Sequence, residues 1–219
     1  MRRSSALWAL CLAGLAGCTP EESAQPVAPP PAPAADGAVL RVDGLPLTAA
    51  QIELLADGVE LLYPEYSRQH ARRLALTNEL LPRLAGHALQ PERWAEARMA
   101  CASAFEAGAL EPHRAEGNFA TLGLGLWDAA RRLAPGTWSE PVELFGRFVR
   151  VRLEARDGAP DPRAEELDVL VLEFPYLALA EARNAHDFAL ERAVLEIVDP
   201  AWRTAVPETW QHRMRPDHP

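Results

Sequence analysis

Six histidines, three cysteines and no lysine bound the side-chain chemistry open to this chain of 219 residues. Without a lysine there is no Schiff base and no amine base, so carbonyl chemistry through an ε-amino group is excluded. His113, in the polar stretch 111–117, is the most site-like histidine, with a solvated loop side chain as the plainer role for it. His70 and His87 fall on expected helices seventeen residues apart, too far along for a shared metal, and His212 and His218 lie in the tail. No His-x-x-x-His, Cys-x-x-Cys or His-Glu-x-x-His spacing occurs, so neither a metal centre nor another cofactor is expected. Cys101 sits on an apolar helix face, which suits a small core residue better than a nucleophile. The glycines of residues 117–125 lack both the Gly-Lys-Ser/Thr ending of a phosphate loop and the fixed Rossmann spacing. Asp161, Glu165 and Glu166 read as a solvated loop. What remains is apolar recognition: Trp127, Trp138 and Phe148 are candidates to line a peptide groove, against the competing fate of core packing.

These residues need elements to position them. Val39 to Val42 reads as a short strand, with a turn at Asp43-Gly44. A strong helix start follows, in which Thr48 can cap, Gln51 can reciprocate, and Leu47 and Ile52 can staple. Ile52, Leu55, Val59, Leu62 and Tyr66 then recur at spacings of three and four, one apolar stripe. A second helix from Ser67 is expected to bury Ala71, Leu74, Leu81, Leu84 and Ala88, with a kink or break near Pro82. A third, entered at Pro91, is expected to bury Trp94, Ala97, Cys101 and Phe105.

Leu126, Trp127, Ala130, Leu133 and Ala134 form another helical stripe, stopped by Pro135-Gly136. Val142 to Phe145, Gly146, and an alternating run from Phe148 to Leu153 then read as a hairpin; Val149, Val151 and Leu153 share one face, Arg150 and Arg152 the other. Residues 167–174 are apolar on both faces, as in a central strand. Helix-favouring sequence spans 177–194, a short strand follows at 195–198, and the tail 199–219, with four prolines and two tryptophans, is expected to pack as an irregular arm.

The start of the chain has a different character. Residues 1–17 carry two arginines, a short apolar run and small residues before Cys18, the pattern of a cleaved secretory signal. Residues 19–37 hold six prolines and no aromatic residue, a composition that cannot bury a core and would extend to on the order of 60 Å as polyproline II. Loss of Arg2 and Arg3 with the signal would take the net charge from −9 to −11. Such acidity argues against nucleic acid and against adhesion to anionic lipid.

The tetrad Leu15-Ala16-Gly17-Cys18 resembles the lipobox of bacterial lipoproteins, which implies cleavage before Cys18, acylation of that residue, and a body tethered to a membrane of the cell envelope on its periplasmic side. Cys101 would then be the one remaining free thiol. The run Leu133-Ala134-Pro135-Gly136-Thr137-Trp138-Ser139-Glu140-Pro141-Val142, followed by Phe145-Gly146-Arg147-Phe148-Val149, resembles the end of a parvulin-type peptidyl-prolyl isomerase domain. Val42-Asp43-Gly44-Leu45-Pro46-Leu47-Thr48 is similar to the entry of the helical chaperone lobe in SurA- and PrsA-type periplasmic foldases. The resemblance implies an α+β fold, a helical lobe plus a small parvulin-like antiparallel or mixed sheet with helices, and partners that are unfolded or proline-containing polypeptides. It departs at the chemistry: the family's sheet opens on a histidine strand and closes on a histidine two residues after the hairpin glycine, where this chain has Phe148. No catalytic residue can therefore be carried over, and a non-catalytic scaffold binding one envelope protein is the alternative. The expected organisation is a signal at 1–17, an acylated cysteine and linker at 18–37, a helical lobe at 38–110, the parvulin-like segment at 111–158, and a C-terminal strand, helix and tail at 159–219.

Overall fold

The computed structural model describes residues 36–107, 111–178 and 191–211. The expected signal, acylation site and linker, and most of the helix expected at 177–194, lie outside them. Within them the chain is α+β, with helices and two antiparallel sheets.

Strands β1 (Ala38–Val42) and β2 (Leu45–Thr48) form a hairpin, so the expected single strand is a pair. Asp43 and Gly44 both take positive φ (50° and 84°), which turns the chain in the sense that a right-twisted hairpin needs. Strand β7 (Leu195–Ile197) joins the other side of β1, in the order β2-β1-β7, and the Asp43 carboxylate accepts from the Val194 amide at 2.9 Å. Helix α1 (Ala49–Leu62) begins with the capping box at Thr48 and Gln51, and buries Ile52, Leu55, Val59 and Leu62. Tyr66 of the expected stripe lies beyond the end of α1 and is partly buried.

Ser67 caps α2 (Arg68–Ala75), which runs through a π-turn (Leu76–Leu80) into α3 (Leu81–Leu89). The expected break at Pro82 is resolved differently. The Leu81 amide donates to the Leu76 carbonyl, a wider turn that leaves room for the proline ring and asks nothing of its missing N–H. Ala71 and Leu81 are buried as expected, while Leu74, Leu84 and Ala88 are partly exposed. Gln90 alone separates α3 from α4 (Pro91–Ala107).

The second sheet has the order β3-β6-β5-β4, from β3 (His113–Gly117), β4 (Val142–Leu144), β5 (Arg147–Arg156) and β6 (Leu167–Pro175). Between β3 and β4 lie the short α5 (Phe119–Leu122) and α6 (Leu124–Arg131). Residues 167–174 are indeed a central strand: Val169 and Val171 bury on one face, Leu172 and Phe174 on the other. The stretch before β4 is held along β5: Gly136 N donates to Leu153 O at 2.7 Å, Ser139 N to Val151 O at 2.8 Å, and Val151 N to the Ser139 hydroxyl at 3.1 Å. The residues that carried the parvulin resemblance thus have structural work here.

Three apolar cores result. The first joins α1, α2 and α3 to the small sheet, and the C-terminal segment returns to it: Leu195, Val206 and Trp210 are all buried there. Where it is described, the expected irregular arm forms a 3-10 helix (Pro200–Ala205) followed by a short helix (Glu208–Gln211), and its residues 212–219 lie outside the described ones. The second core lies between α6 and the Val149–Val151–Leu153 face of β5. The third lies between α4 and the opposite face of the same sheet.

Candidate functional site

A cleft of roughly 370 Å³ opens where α1 and α3 meet α6 and β4. Its apolar lining includes Leu47, Leu55, Leu80, Leu84 and Val142, and Leu54 stands at its lip, 50% exposed. Among the described residues Leu54 and Met99 are the exposed large apolar side chains. Polar groups are set into this lining at fixed points. Asp128 on α6 is buried and takes a two-pronged contact from Arg132, at 2.9 and 3.0 Å, while Arg132 also donates to the Leu54 carbonyl at 3.0 Å. Arg83 on α3 donates to Glu79 one turn earlier, at 2.6 Å. Gly125 leaves room for these side chains, because a Cβ there would lie 2.6 Å from the Arg83 guanidinium and 2.9 Å from Leu144 and would have to displace them.

Glu143, on β4, lies on the same wall and reaches out of the cleft toward α4. The Trp94 indole N–H donates to its carboxylate at 2.7 Å, and the Tyr176 hydroxyl, which accepts from Gly146 N at 3.1 Å, bonds it as well. Burial raises the Glu143 pKa above the ordinary glutamate value, a rise opposed by the Trp94 hydrogen bond and the nearby Arg83 and Arg98 charges. Burial, together with the Glu143 charge, raises the Tyr176 pKa in turn. His87 stacks flat on Trp94 at 3.8 Å, and burial with the Arg98 charge lowers its pKa. A desolvated carboxyl beside a cleft can bind a donor or hold a proton.

The expected groove residues are divided by the sheet. Trp127 is wholly buried in the second core, 6.3 Å from Phe119, with the Arg131 guanidinium 5.0 Å above its ring. Phe148 and Trp138 lie on the other side, in and against the third core. Phe148 is 4% exposed, its ring 5.3 Å from Trp94, and Trp138 is half-buried beside Arg152. Core packing, the competing fate, is the one taken by Trp127 and Phe148. His113 is on an edge strand rather than in a loop; it is exposed, 3.8 Å from Glu173. Glu165, expected to be solvated, is instead buried 3.6 Å from Arg131, whereas Asp161 does pair with Arg163 in the loop. Asn118 caps α5 through bonds to Ala120 N and Thr121 N, so the glycine-rich stretch serves a helix start. Cys101 is buried, and burial raises its thiol pKa. No cluster of three or more histidine, cysteine or acidic side chains suited to a metal occurs among the described residues.

Sequence reasoning missed Glu143, Asp128 and Arg83. Glu143 alternates with Val142 and Leu144 as any solvent-facing strand residue would, and its partner Trp94 lies 49 positions away. The features above define the protein at the level of class, an α+β body with an amphipathic cleft and a half-buried carboxyl beside it. The chain matches no protein-family model, no curated protein and no solved structure.

Proposed function

We propose that this protein is a lipid-anchored component of the bacterial cell envelope whose body binds extended, unfolded or proline-containing polypeptide in the cleft between α1, α3, α6 and β4. The observation that carries the reading is the cleft's lining: an apolar floor with Leu54 exposed at its lip, interrupted by Arg83, Asp128, Arg132 and Glu143. Apolar surface takes side chains of many shapes, and the fixed charges meet the main-chain amides and carbonyls that every polypeptide carries. Acylation at Cys18 would supply the membrane attachment, and the acidic surface agrees with a protein rather than a nucleic-acid partner.

Binding without isomerisation is the preferred form of this reading. Where the parvulin resemblance would need a histidine, this chain has Phe148, whose ring lies beneath α4 at 4% exposure and is itself covered from a prolyl bond. The test is NMR of Xaa-Pro peptides with the soluble chain from residue 19 onward. Shifted peptide resonances without cis/trans exchange peaks are expected, and Leu54→Glu should weaken the association roughly 10-fold by placing a charge on the apolar lip. Exchange peaks at catalytic protein concentration would turn the reading to an isomerase; unshifted peptides would overturn polypeptide binding.

A further inference from the structure

Helix α4 is an unequal partner for the surface it covers. Of its described side chains only Ala97 and Cys101 are buried, with Trp94 and Ala104 partly so, and Met99 on its outer side is 64% exposed. Beneath it β5, β6 and the residues after β6 present Phe148, Leu172, Phe174 and Tyr176, all at most 7% exposed. Apart from Trp94, whose ring stands 5.3 Å from Phe148, small side chains face large ones, and the fit is incomplete. A groove of roughly 590 Å³ runs along the flank of the helix, between Glu96, Ala97 and Ala100 on one side and Phe174, Tyr176 and Leu177 on the other.

Arg150 ties this seam in a particular way. Arg150 on β5 donates to the main-chain carbonyls of Cys101 and Ala102, at 2.9 and 3.1 Å. Another tie is the Trp94 indole bond to Glu143. The Arg150 bonds read main chain only, so any polypeptide backbone laid over β5 can reproduce them. A segment with bulky apolar side chains would cover the aromatic face better than alanine and cysteine do. One non-helical residue, Gln90, joins α4 to α3 and provides a place for the helix to swing.

We infer that α4 is a displaceable cover, and that the β5–β6 face bearing Phe148, Leu172, Phe174 and Tyr176 is a second docking surface for apolar polypeptide, held closed by the protein's own helix. The choice of occupant rests on the polypeptide-binding reading above; the opening of α4 does not.

Cys101 reports on that opening, because its buried thiol reacts only when α4 lifts. In the chain from residue 19 onward it is the single thiol. Arg150→Met should raise the rate of Cys101 labelling by a disulfide reagent roughly 10-fold, the effect of losing a charged hydrogen bond, while β5 and β6 amides keep their protection in hydrogen exchange. Carboxymethylated α-lactalbumin, a permanently unfolded chain, should accelerate labelling in the otherwise unaltered protein and equally in Leu54→Glu, whose cleft is impaired. Labelling that rises only in step with loss of β5 and β6 protection makes α4 a fixed part of the core and overturns the cover. Labelling that the unfolded chain leaves unchanged or slows overturns the docking surface. Failure of the cleft reading is told apart because the Arg150→Met arm contains no client, and its result stands or falls without one.

Discussion

Among the described residues helices α1 and α4 each show one large apolar side chain to solvent, Leu54 and Met99, yet they are held in opposite ways. Helix α1 starts on a capping box and buries Ile52, Leu55, Val59 and Leu62. It is also tied to α2 by Arg68 and Arg72, which both pair with Glu53. Helix α4 buries only the small Ala97 and Cys101, with Trp94 half-buried at its start, against a sheet that meets it with phenylalanines and a tyrosine. The difference teaches where the free energy of this fold is concentrated: in the first core, where β1 and the segment 195–210 meet, rather than in the seam under α4. An exposed leucine on α1 therefore marks the lip of a rigid cleft, whereas an exposed methionine on α4 marks a helix that can leave.

The sharpest way to break this comparison is to cut into both seams and compare the losses. Ile52→Ala removes a fully buried side chain from the first core and should cost ~2–5 kcal/mol in chemical denaturation. Cys101→Ala, equally buried but of little more than alanine's volume, should cost about 1 kcal/mol. Equal losses would show that the α4 seam is as well packed as the α1 core. Next in size, Gly125→Ala drives a methyl into Arg83, Glu79 and Leu144 at the cleft wall and should destabilise by ~1–3 kcal/mol. Peptide association should fall with it, which a change confined to general stability would not produce. Thr48→Ala removes the oxygen that accepts from Gln51 N and should cost about 1 kcal/mol by thermal melting, without altering Cys101 labelling.

The two regions also differ in how far the sequence announced them. Local signals were sufficient for α1: Thr48 and Gln51 at cap spacing and a stripe of period three to four make its start and buried face readable from adjacent residues alone. The hairpin β4–β5 was legible from alternation, which states the buried face, and the two-sided strand β6 from an unbroken apolar run. The π-turn before Pro82 was not, because both a kink and a widened turn relieve the same clash and only tertiary packing chooses between them. The site was the least legible part. Glu143 meets Trp94 across 49 residues and Tyr176 across the sheet, and the wall of the cleft is assembled from helices whose polar residues each look solvated on their own element. Trp127 was readable as a helix-stripe residue, yet its burial on the opposite side of the sheet from Phe148 follows from topology, which the spacing of aromatics does not encode.

The last prediction is the smallest at any one pH and concerns the group that joins the two regions. Burial raises the Glu143 pKa in the folded protein above the ordinary 4.5 of a glutamate. The folded state therefore favours the protonated carboxyl, and this contribution to stability is fully present below 4.5 and lost as pH rises through the folded pKa. Asp168 at the sheet edge is the opposite case. Arg114 holds its carboxyl below the ordinary 3.8, so its contribution is present above that value and lost as pH falls through the lowered pKa. Glu143→Gln keeps an acceptor for the Trp94 indole and removes the half-buried charge. Measured by thermal melting, the variant should gain on the parent protein as pH rises from 4.5 through neutrality, whereas Asp168→Asn should lose on its parent over the acid range as pH rises. A flat difference for Glu143→Gln would mean that the hydrogen bonds from Trp94 and Tyr176 fully offset the desolvation. The carboxylate would then be a stable clasp between β4 and α4, and α4 would be held more firmly than its narrow apolar seam implies.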